Sequence, residues 1–489
     1  MTVLDRRTVG TALLRTLILG AGSAGQALAR DLVECPELGL HPIGFLDDRV
    51  SVSPALPHLG RLDDLPEVAR RESVNVVIVA IPSLAPARIA ALVGLASAHG
   101  LHVRFLPSFV AALERDVRVA DLRTLRVGDL LGRQEVHVIS AQARAVVEGK
   151  RVLVTGAGGS IGSELCRQIS RWDPAALFLL DHDESNLHGL QLELHGEALL
   201  DDEALIIADV RDRSRIDQVF ATTRPDVVFH AAAHKHLPLL ERHPCEGVKS
   251  NVLGTQNLLE AALEVGTDRF ILISTDKAAN PTSVLGASKR LAELLVRQAA
   301  LSGTMQCASV RFGNVLGSRG SLLAVLSDQM LRGVPVTVTH PDVTRFFMTV
   351  EEAVGLVLEA GRMADQGRTF VLDMGEPVRI IELVSKFAAQ VHVQYPVIRY
   401  TGLRPGEKLH EELFQDSEHA QPTDHPRISA TSPADLPATF MPLVNRLYAN
   451  AAANRDTAVL ELFDRLLPEY VVSDRQRVHE AAVPYADGF

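Results

Sequence analysis

Short apolar runs alternate with longer mixed stretches along the chain, and two of these runs lead directly into glycine-rich turns. Short apolar runs bounded by turn residues are typical of buried strands, and the mixed stretches between them have the length of helices. Strands that alternate with helices favour parallel sheets covered by helices. The pattern therefore predicts an α/β fold with two doubly wound, Rossmann-like parallel-sheet domains, the second with a smaller, irregular substrate-binding region.

Each predicted domain begins at one of the two glycine-rich turns. We expect a nucleotide- or CoA-binding-like domain over residues 1–140 and the main domain over 141–418, irregular after about residue 320. Pro, Asp and Ala accumulate over residues 419–489, which predicts a partly helical tail. Further strands are predicted at 43–46, 76–80, 103–106, 177–180, 205–207, 227–229, 270–274 and 308–312, with helices over 248–265 and 285–300.

Composition narrows the class of protein. A chain of 489 residues with 47% hydrophobic and 22% charged residues is typical of a well-cored globular protein. The formal charge of −11 argues against a general nucleic-acid binder, which needs a basic surface. No secretory signal or long uninterrupted apolar stretch is visible, so we expect a cytoplasmic protein without a transmembrane segment. The four cysteines lie far apart, which favours buried, reduced thiols over a zinc or redox site.

The second glycine-rich turn has the spacing of a dinucleotide-binding loop. Gly156, Gly159 and Gly162 follow the strand at 152–155 and open a helix. Glycine is needed there because a Cβ would hold the backbone away from a pyrophosphate at the helix N-terminus. Asp181 ends the next strand, nineteen positions after Gly162, where a carboxylate can accept from the adenosine ribose hydroxyls. Such an acid favours NAD over NADP, whose additional phosphate it would repel.

The first glycine-rich turn, Gly20 to Gly25, is open to two interpretations. Asp47 or Asp48 is suitably placed to be its ribose-binding acid. The same turn is equally well explained as a tight strand–helix connection without a ligand, and no catalytic group follows it in the sequence. Whether this turn binds a nucleotide is left open.

The candidate chemistry follows the predicted strand at 270–274. Ser274, Thr275, Asp276 and Lys277 come at its carboxyl end, where α/β sheets place their ligands, and Lys289 lies twelve residues further on at a helix start. Only seven of the 49 basic residues are lysines. Lysine can lose its proton and act as a base whereas arginine stays protonated, so two lysines in this short stretch indicate acid–base chemistry.

Tyrosine is missing from this constellation. All five tyrosines lie after residue 394, and the position four residues before Lys289, where such folds usually carry a proton-accepting tyrosine, is Leu285. Deprotonation of an alcohol would therefore depend on Thr275, Asp276 or water.

Six longer motifs stand out along the second predicted domain: TGAGGSIG from Thr155, AAAHKHLP from Ala231, STDKA from Ser274, RFGNVLGSRG from Arg311, TRFFMT from Thr344 and LRPGEK from Leu403. By these motifs the chain from about residue 129 to residue 470 resembles the nucleotide-sugar 4,6-dehydratases of polysaccharide biosynthesis, an extended short-chain dehydrogenase/reductase group. The resemblance extends to the preceding glycine-rich domain. Members of the long subgroup usually carry N-terminal membrane helices, which are not visible in this sequence. They commonly have Met where short members have Tyr, and Leu285 resembles that exchange.

The resemblance implies an NAD-dependent dehydration of a UDP-N-acetylhexosamine, with UDP-N-acetylglucosamine as the expected substrate. A hydride leaves sugar C4, the resulting ketone acidifies the C5 hydrogen, water leaves from C6, and the hydride returns to C6. This chemistry needs an acid at the departing hydroxyl and a base at C5. By the resemblance, Asp276 is the acid and Lys277 the base. Thr275 contacts the C4 oxygen, and Lys289 orients the nicotinamide ribose and favours alkoxide formation.

The resemblance also implies the binding residues and a homo-oligomeric assembly. His234 and His236 flank Lys235 without a suitably spaced carboxylate, so no metal site is expected. The expected NAD-binding residues are Gly156, Gly159, Ser160, Ile161, Gly162, Asp181, Asp209, Val210 and Lys289, and the expected UDP-sugar-binding residues are Lys235, Asn314, Arg319, Arg404 and Glu407, the last at the uridine ribose.

Two other functions stay open at this point. One is a nucleotide-sugar C4 epimerase on the same fold, which Leu285 disfavours because that reaction uses the tyrosine proton relay. The other is a catalytically silent nucleotide-sensing or scaffold protein. The retention of Asp276, Lys277 and Lys289 together argues against the silent protein.

Overall fold

The computed structural model describes residues 14–34, 40–49, 56–81, 101–105, 123–124 and 139–470, without 197–199, 391–395, 433–434 and most of 317–333, and single positions between 88 and 99. The chain divides into two compact units. The first comprises residues 1–138 with 386–394, and the second comprises residues 139–385 with 395–489.

The first unit contains a six-stranded sheet with the strand order β3-β2-β1-β4-β5-β6. Strands β1 to β5 pair in parallel, and β6 is antiparallel to β5. The order reverses at β1, as in a doubly wound sheet. The elements are β1 (Leu14–Leu19), α1 (Ser23–Glu34), β2 (Leu40–Leu46), β3 (His58–Gly60), a 3-10 turn (Leu62–Asp64), α2 (Leu65–Arg71), β4 (Val76–Val79), β5 (His102–Phe105) and β6 (Arg123–Thr124).

The second unit is built on a nine-stranded sheet with the order β20-β21-β17-β12-β11-β10-β7-β8-β9. From β9 to β17 every neighbouring pair is parallel, and β21 and β20 continue the sheet as antiparallel strands. The sheet strands are β7 (Arg151–Thr155), β8 (Ala176–Asp181), β9 (Leu205–Ile207), β10 (Val227–His230), β11 (Arg269–Ile273), β12 (Gln306–Arg311), β17 (Arg368–Leu372), β20 (Gln421–Pro422) and β21 (Ile428–Ala430).

Helices cover both faces of this sheet because its central strands are apolar on both sides, and Val152, Leu153 and Val154 are fully buried. One face packs against α6, α9 and α10, with α13 and α14 packed on the helical segment 244–253, and the other face packs against α4 and α11. The helices are α3 (Ala141–Arg144), α4 (Ser160–Ile169), α5 (Glu184–His195), α6 (Arg213–Thr223), α7 (Leu237–Arg242), α8 (Pro244–Gly247), α9 (Gly254–Val265), α10 (Val284–Ala300), α11 (Val350–Arg362), α12 (Ile380–Gln390), α13 (Phe440–Ala452) and α14 (Asp456–Leu466).

Three small two-stranded sheets, β13-β16, β14-β19 and β15-β18, make up the irregular region. They lie mainly after residue 313, close to where the sequence predicts irregular structure. Their strands are β13 (Asn314–Leu316), β14 (Val336–Val338), β15 (Thr344–Arg345), β16 (Phe347–Thr349), β18 (Val378–Arg379) and β19 (Ile398–Tyr400).

The α/β fold with two doubly wound sheets is confirmed, and two local details differ from the prediction. The stretch predicted as one helix over 248–265 begins as a π-helix, Val248–Leu253, before it continues as α9. The predicted helical tail also supplies β20 and β21 to the sheet.

Within the described ranges, no helix combines the length and apolarity needed to cross a bilayer. Cys166, Cys245 and Cys307 are buried free thiols, whereas Cys35 lies outside the described residues.

Candidate active site

The glycine-rich turn after β7 is closely packed. Gly156 has φ +65°, and a Cβ there would meet the backbone of Ala232 at 2.7 Å. A Cβ on Gly162 would meet the carbonyl oxygen of Gly156 at 2.0 Å. Neither position can therefore take a larger residue without a shift of backbone, and the turn directs the N-terminus of α4 toward the cavity beside it.

A cavity at the carboxyl ends of β7 and β8 gathers several of the residues predicted to hold the adenosine half of NAD. Asp181 is buried; its Oδ2 accepts from the Gly158 N–H at 2.9 Å and its Oδ1 from the Asp183 N–H at 3.0 Å. Each carboxylate oxygen retains acceptor capacity for a ribose hydroxyl. The lining residues include Gly156, Gly159, Asp181, Asp209 and Val210.

A second cavity adjoins the first, with Gly159 and His234 lining both. It brings the glycine-rich turn together with the chemical groups after β11, although these residues are more than a hundred positions apart in the chain. The predicted site residues that line it are Gly159, Ser160, Ile161, Gly162, Lys235, Thr275, Lys277, Lys289 and Asn314.

Asp276 and Lys277 form a hydrogen-bonded ion pair. The turn Asp276–Ala278 follows β11 and is capped by the Thr275 hydroxyl. Asp276 is fully buried, and its Oδ1 accepts both from the Thr275 hydroxyl and from Lys277 Nζ, each at 2.9 Å. Lys277 Nζ also lies 3.4 Å from the side-chain oxygen of Asn314. The three side chains predicted to act on the sugar are thus linked through one carboxylate oxygen.

The charge of Lys277 follows from its neighbours. Burial alone would lower its pKa, but the carboxylates of Asp276 and Glu411 outweigh that effect and raise the pKa above its usual value. Lys277 is therefore an ammonium at neutral pH in this structure. To act as the predicted base, it must first pass its proton on.

Lys289 lies in a different environment on α10. It is buried, and burial lowers its pKa to about 8 although the Glu293 carboxylate acts in the opposite direction. Leu285 lies one turn earlier on the same helix and lines the same cavity. The cavity wall is thus apolar at the position where a tyrosine hydroxyl would stand.

Two of the predicted substrate residues lie on the segment after β19. Arg404 lines a separate cavity together with Thr337 and Arg399. Glu407 accepts from the Arg345 guanidinium at 2.8 Å and from the Arg404 backbone N–H at 3.2 Å. Arg319, also predicted to bind the substrate, lies outside the described residues.

Several polar residues that support the site were missed by sequence reasoning. Glu411 lies 3.4 Å from Lys277 Nζ. Glu293 accepts from the Ser274 hydroxyl at 2.6 Å and from the fully buried Arg311 at 2.7 Å, so it anchors the chain just before the turn Asp276–Ala278. The only signal for Glu411 is its position four residues after Glu407 in the LRPGEK segment. Glu293 has no such signal, because on α10 it is indistinguishable from a solvent-facing helical glutamate.

The first glycine-rich turn shares one feature with the second. The Ala21 N–H donates to Asp47 Oδ2 at 2.7 Å, much as Gly158 donates to Asp181, and Asp48 accepts from the Leu62 N–H. Gly20 has φ +107°. The Asp47 carboxylate therefore stabilises the first glycine-rich turn through this hydrogen bond.

In the described part of the chain, no three metal-ligating side chains come together in a possible metal site.

Comparisons with known proteins identify the family. Residues 152–433 match the sequence model of the "Polysaccharide biosynthesis protein" family. This chain belongs to that family. It is 42% identical over 420 residues to the probable polysaccharide biosynthesis protein EpsC of Bacillus subtilis, covering 83% of this chain and 69% of that relative. Residues 4–107 also match the sequence model of a CoA-binding domain.

Another relative is named for its reaction, and a solved structure shows the fold. A UDP-glucose 4-epimerase of Rickettsia rickettsii is 34% identical over 283 residues, covering 56% of this chain and 80% of the epimerase. The X-ray structure of Pen from Bacillus thuringiensis matches with a TM-score of 0.53 at 32% identity, covering 58% of this chain and 90% of Pen. The family and the fold are thus established, and the reaction has to be argued from the site.

Proposed function

We propose that this chain is an NAD-dependent 4,6-dehydratase that acts on a UDP-N-acetylhexosamine, with UDP-N-acetylglucosamine as its substrate. The observation that carries the proposal is the linked group of Thr275, Asp276 and Lys277 at the carboxyl end of β11. Thr275 and Lys277 line the cavity that also contains the glycine-rich turn, and the fully buried Asp276 bonds to both of them. Similarity to a UDP-glucose 4-epimerase, at 34% identity over 283 residues, supports a nucleotide-sugar substrate.

NAD fits the residues of the two adjoining cavities. Close packing at Gly156 and Gly162 leaves no space for a Cβ, so a pyrophosphate can approach the backbone at the N-terminus of α4, and the buried Asp181 suits the adenosine ribose hydroxyls. Asp209 and Val210 would line the adenine end, and Lys289 would contact the nicotinamide ribose. When bound, NAD⁺ supplies the acceptor for the hydride from sugar C4.

Oxidation at C4 releases a proton that the protein must hold. The Thr275 hydroxyl can bond the C4 oxygen and already donates to Asp276, so the proton has a two-step path to that carboxylate. The nearby Lys289 ammonium lowers the energy of the alkoxide. Thr275 and Asp276 would thus accept the proton that a tyrosine accepts in related folds. Leu285 takes no part in this path.

The elimination step needs Asp276 as an acid and Lys277 as a base. After the C4 oxidation Asp276 holds the proton of the C4 hydroxyl, so it can protonate the departing C6 oxygen. Lys277 becomes a neutral amine when its ammonium proton passes to the second carboxylate beside it, Glu411, 3.4 Å from Nζ. The amine can then take the C5 proton and give it back to C5 when the hydride adds at C6. Atoms and charge balance, because the C4 hydroxyl proton leaves in the water and the C5 proton is returned.

C4 epimerisation is the second candidate, supported by the epimerase among the relatives. The two reactions share the first oxidation and differ in where the hydride returns, C6 for the dehydratase and C4 for the epimerase. Leu285 favours dehydration, because epimerisation on this fold uses the missing tyrosine.

The test is turnover of UDP-N-acetylglucosamine by the purified chain without added reductant, followed by NMR. We expect a 4-keto-6-deoxy product from the wild type and a loss of about 10²–10⁴-fold in rate for Lys277→Met, since that is the usual contribution of a positioned acid or base. Lys150→Met is the matched control because Lys150 forms only an exposed pair with Asp268. A C4 epimer as the product would favour the second candidate. Binding of UDP and NAD without turnover would favour a silent protein.

A further inference from the structure

Glu411 is a buried carboxylate behind the catalytic lysine. Its side chain is 2% exposed, and its Oε1 lies 3.4 Å from Lys277 Nζ and 3.7 Å from Nε of Arg345. Its other oxygen, Oε2, is buried without a hydrogen-bond partner among the described residues. Such a carboxylate is costly to bury unless a nearby positive charge compensates it, and Lys277 is the cation closest to it.

The surroundings of Lys277 Nζ fit an ammonium. Three oxygens surround the nitrogen, from Asp276 at 2.9 Å and from Glu411 and Asn314 at 3.4 Å each. An ammonium has three N–H donors to match three acceptors, whereas a neutral amine has two donors and a lone pair that would face an oxygen. The Lys277 side chain is 19% exposed and lines the cavity, so its nitrogen is held close to the substrate.

The charges around Lys277 leave the group with one negative charge in excess. Asp276 faces the ammonium from its own turn, and Glu411 faces it from the segment after β19. Arg345 approaches from β15, but its charge is matched by Glu407, with which it pairs at 2.8 Å. Two carboxylates therefore share one ammonium, and the group can accept one proton without acquiring a net positive charge.

We propose that Glu411 is a positioning residue of this active site: together with Asp276 it holds Lys277 as an ammonium, and it supplies the negative charge that lets the group accept the sugar hydroxyl proton. This inference rests on the proposed function. In the C4 oxidation the C–H electron pair leaves as hydride to NAD⁺, and the O–H proton passes through Thr275 to Asp276. The group then changes from a charge of −1 to 0. With glutamine at position 411 it would change from 0 to +1 in a buried place, which is less favourable.

The first test measures Lys277 itself and needs no turnover. Reductive methylation modifies only neutral amines. The protein is methylated at several pH values, and mass spectrometry of the peptide that contains Lys277 gives the rate at each pH. The dependence of this rate on pH reports the midpoint at which the Lys277 ammonium loses its proton. Glu411→Gln removes one of the two carboxylates that raise the pKa of Lys277. We expect the midpoint to move to lower pH by about one unit, or a tenfold faster modification at a fixed pH below the midpoint.

The matched control is Glu412→Gln. Glu412 is the next residue, but it is 48% exposed and pairs with Lys408, so this variant should leave the Lys277 midpoint unchanged. An unchanged midpoint in Glu411→Gln would overturn the proposal. If Glu411→Gln does not fold, Glu411→Asp, with its shorter reach, must move the midpoint in the same direction by a smaller amount. No movement in that variant would equally overturn it.

The second test is the activity of the same variants. Glu411→Gln is expected to lower kcat at least tenfold with little change in KM, and to move the limb of the pH–rate profile that belongs to Lys277 to lower pH. Glu411→Asp should recover part of the loss. If the wild type does not dehydrate the sugar but the methylation midpoint shifts, the proposed function fails and the placement of Glu411 stands. If the wild type is active and the midpoint does not shift, the role of Glu411 is refuted.

Discussion

The substitution Gly162→Ala tests how tightly the cofactor turn is built. Gly162 lies in the first turn of α4, and its hydrogen points at the carbonyl of Gly156. The added methyl carbon would lie 2.0 Å from that oxygen and 2.7 Å from its carbon atom. Both contacts are with backbone, so no side-chain rotation can relieve them.

The magnitude follows from the distance that the backbone must move. Real Cβ contacts stay beyond 3.0 Å, so the helix start and the turn have to separate by about 1 Å. Overpacking of this kind costs about 1–3 kcal/mol in free energy of unfolding. With a urea m-value of about 2 kcal/mol/M, the midpoint should fall by about 0.5–1.5 M. The displaced amides would also bind the pyrophosphate less well.

The chain provides its own probe for this experiment. Trp172 is the only tryptophan, and it lies in the 3-10 turn Ser170–Trp172 that directly follows α4. Urea unfolding monitored by tryptophan fluorescence therefore reports on the second unit alone. NAD binding to the same samples can be measured by calorimetry.

Gly189→Ala is the control. Gly189 lies on the exposed side of α5, and a Cβ there meets nothing within 4 Å, so this change should stabilise by about 0.5–1 kcal/mol through helix propensity. If Gly162→Ala keeps the wild-type urea midpoint and the wild-type NAD affinity, the close contact between the turn and α4 is refuted.

Four further outcomes are expected. Asp181→Asn should weaken NAD binding and reduce the preference for NAD over NADP, measured by calorimetry with both cofactors, because the repulsion of the NADP phosphate is lost. The value of kcat/KM should decrease as pH rises through about 8, where the buried Lys289 loses the charge that stabilises the alkoxide; a flat profile from pH 7 to 9 would contradict this role. Arg311→Met should cost about 3 kcal/mol in free energy of unfolding, the low end for breaking a buried ion pair, because Arg290 still pairs with Glu293 at 3.1 Å. Burial acts to raise the pKa of Glu293, but Arg311 and Arg290 lower it to about 2, so its contribution to stability is present above about pH 4.5 and is lost as the pH falls toward 2; equal stability at pH 3 and pH 6 would refute that contribution.

Local patterns were sufficient for the central parallel strands and for the residues at their ends. The apolar runs at 152–155 and 205–207 agree with β7 and β9 to within one residue, because buried parallel strands are continuous apolar segments. Ser274 to Lys277 could be placed at the site because the carboxyl ends of parallel strands share one edge of the sheet.

Contacts between distant segments could not be predicted in this way. Glu411 reaches Lys277 across more than 130 residues of sequence, and no local pattern marks that approach. A buried arginine in a strand, such as Arg311, contradicts the usual preference of charged residues for the surface, and only its partners Glu293 and Glu418 explain it. The antiparallel strands β20 and β21 are two and three residues long, too short for a hydrophobic period.

The central claim is that the hydride taken from C4 is returned to C6 while water leaves. UDP-N-acetylglucosamine carrying deuterium at C4 tests it directly, with NMR and mass spectrometry of the product. The account predicts a 4-keto-6-deoxy sugar with the deuterium in its C6 methyl group and no need for added reductant. Deuterium retained at C4 in an epimerised sugar, or substrate recovered unchanged, would contradict it.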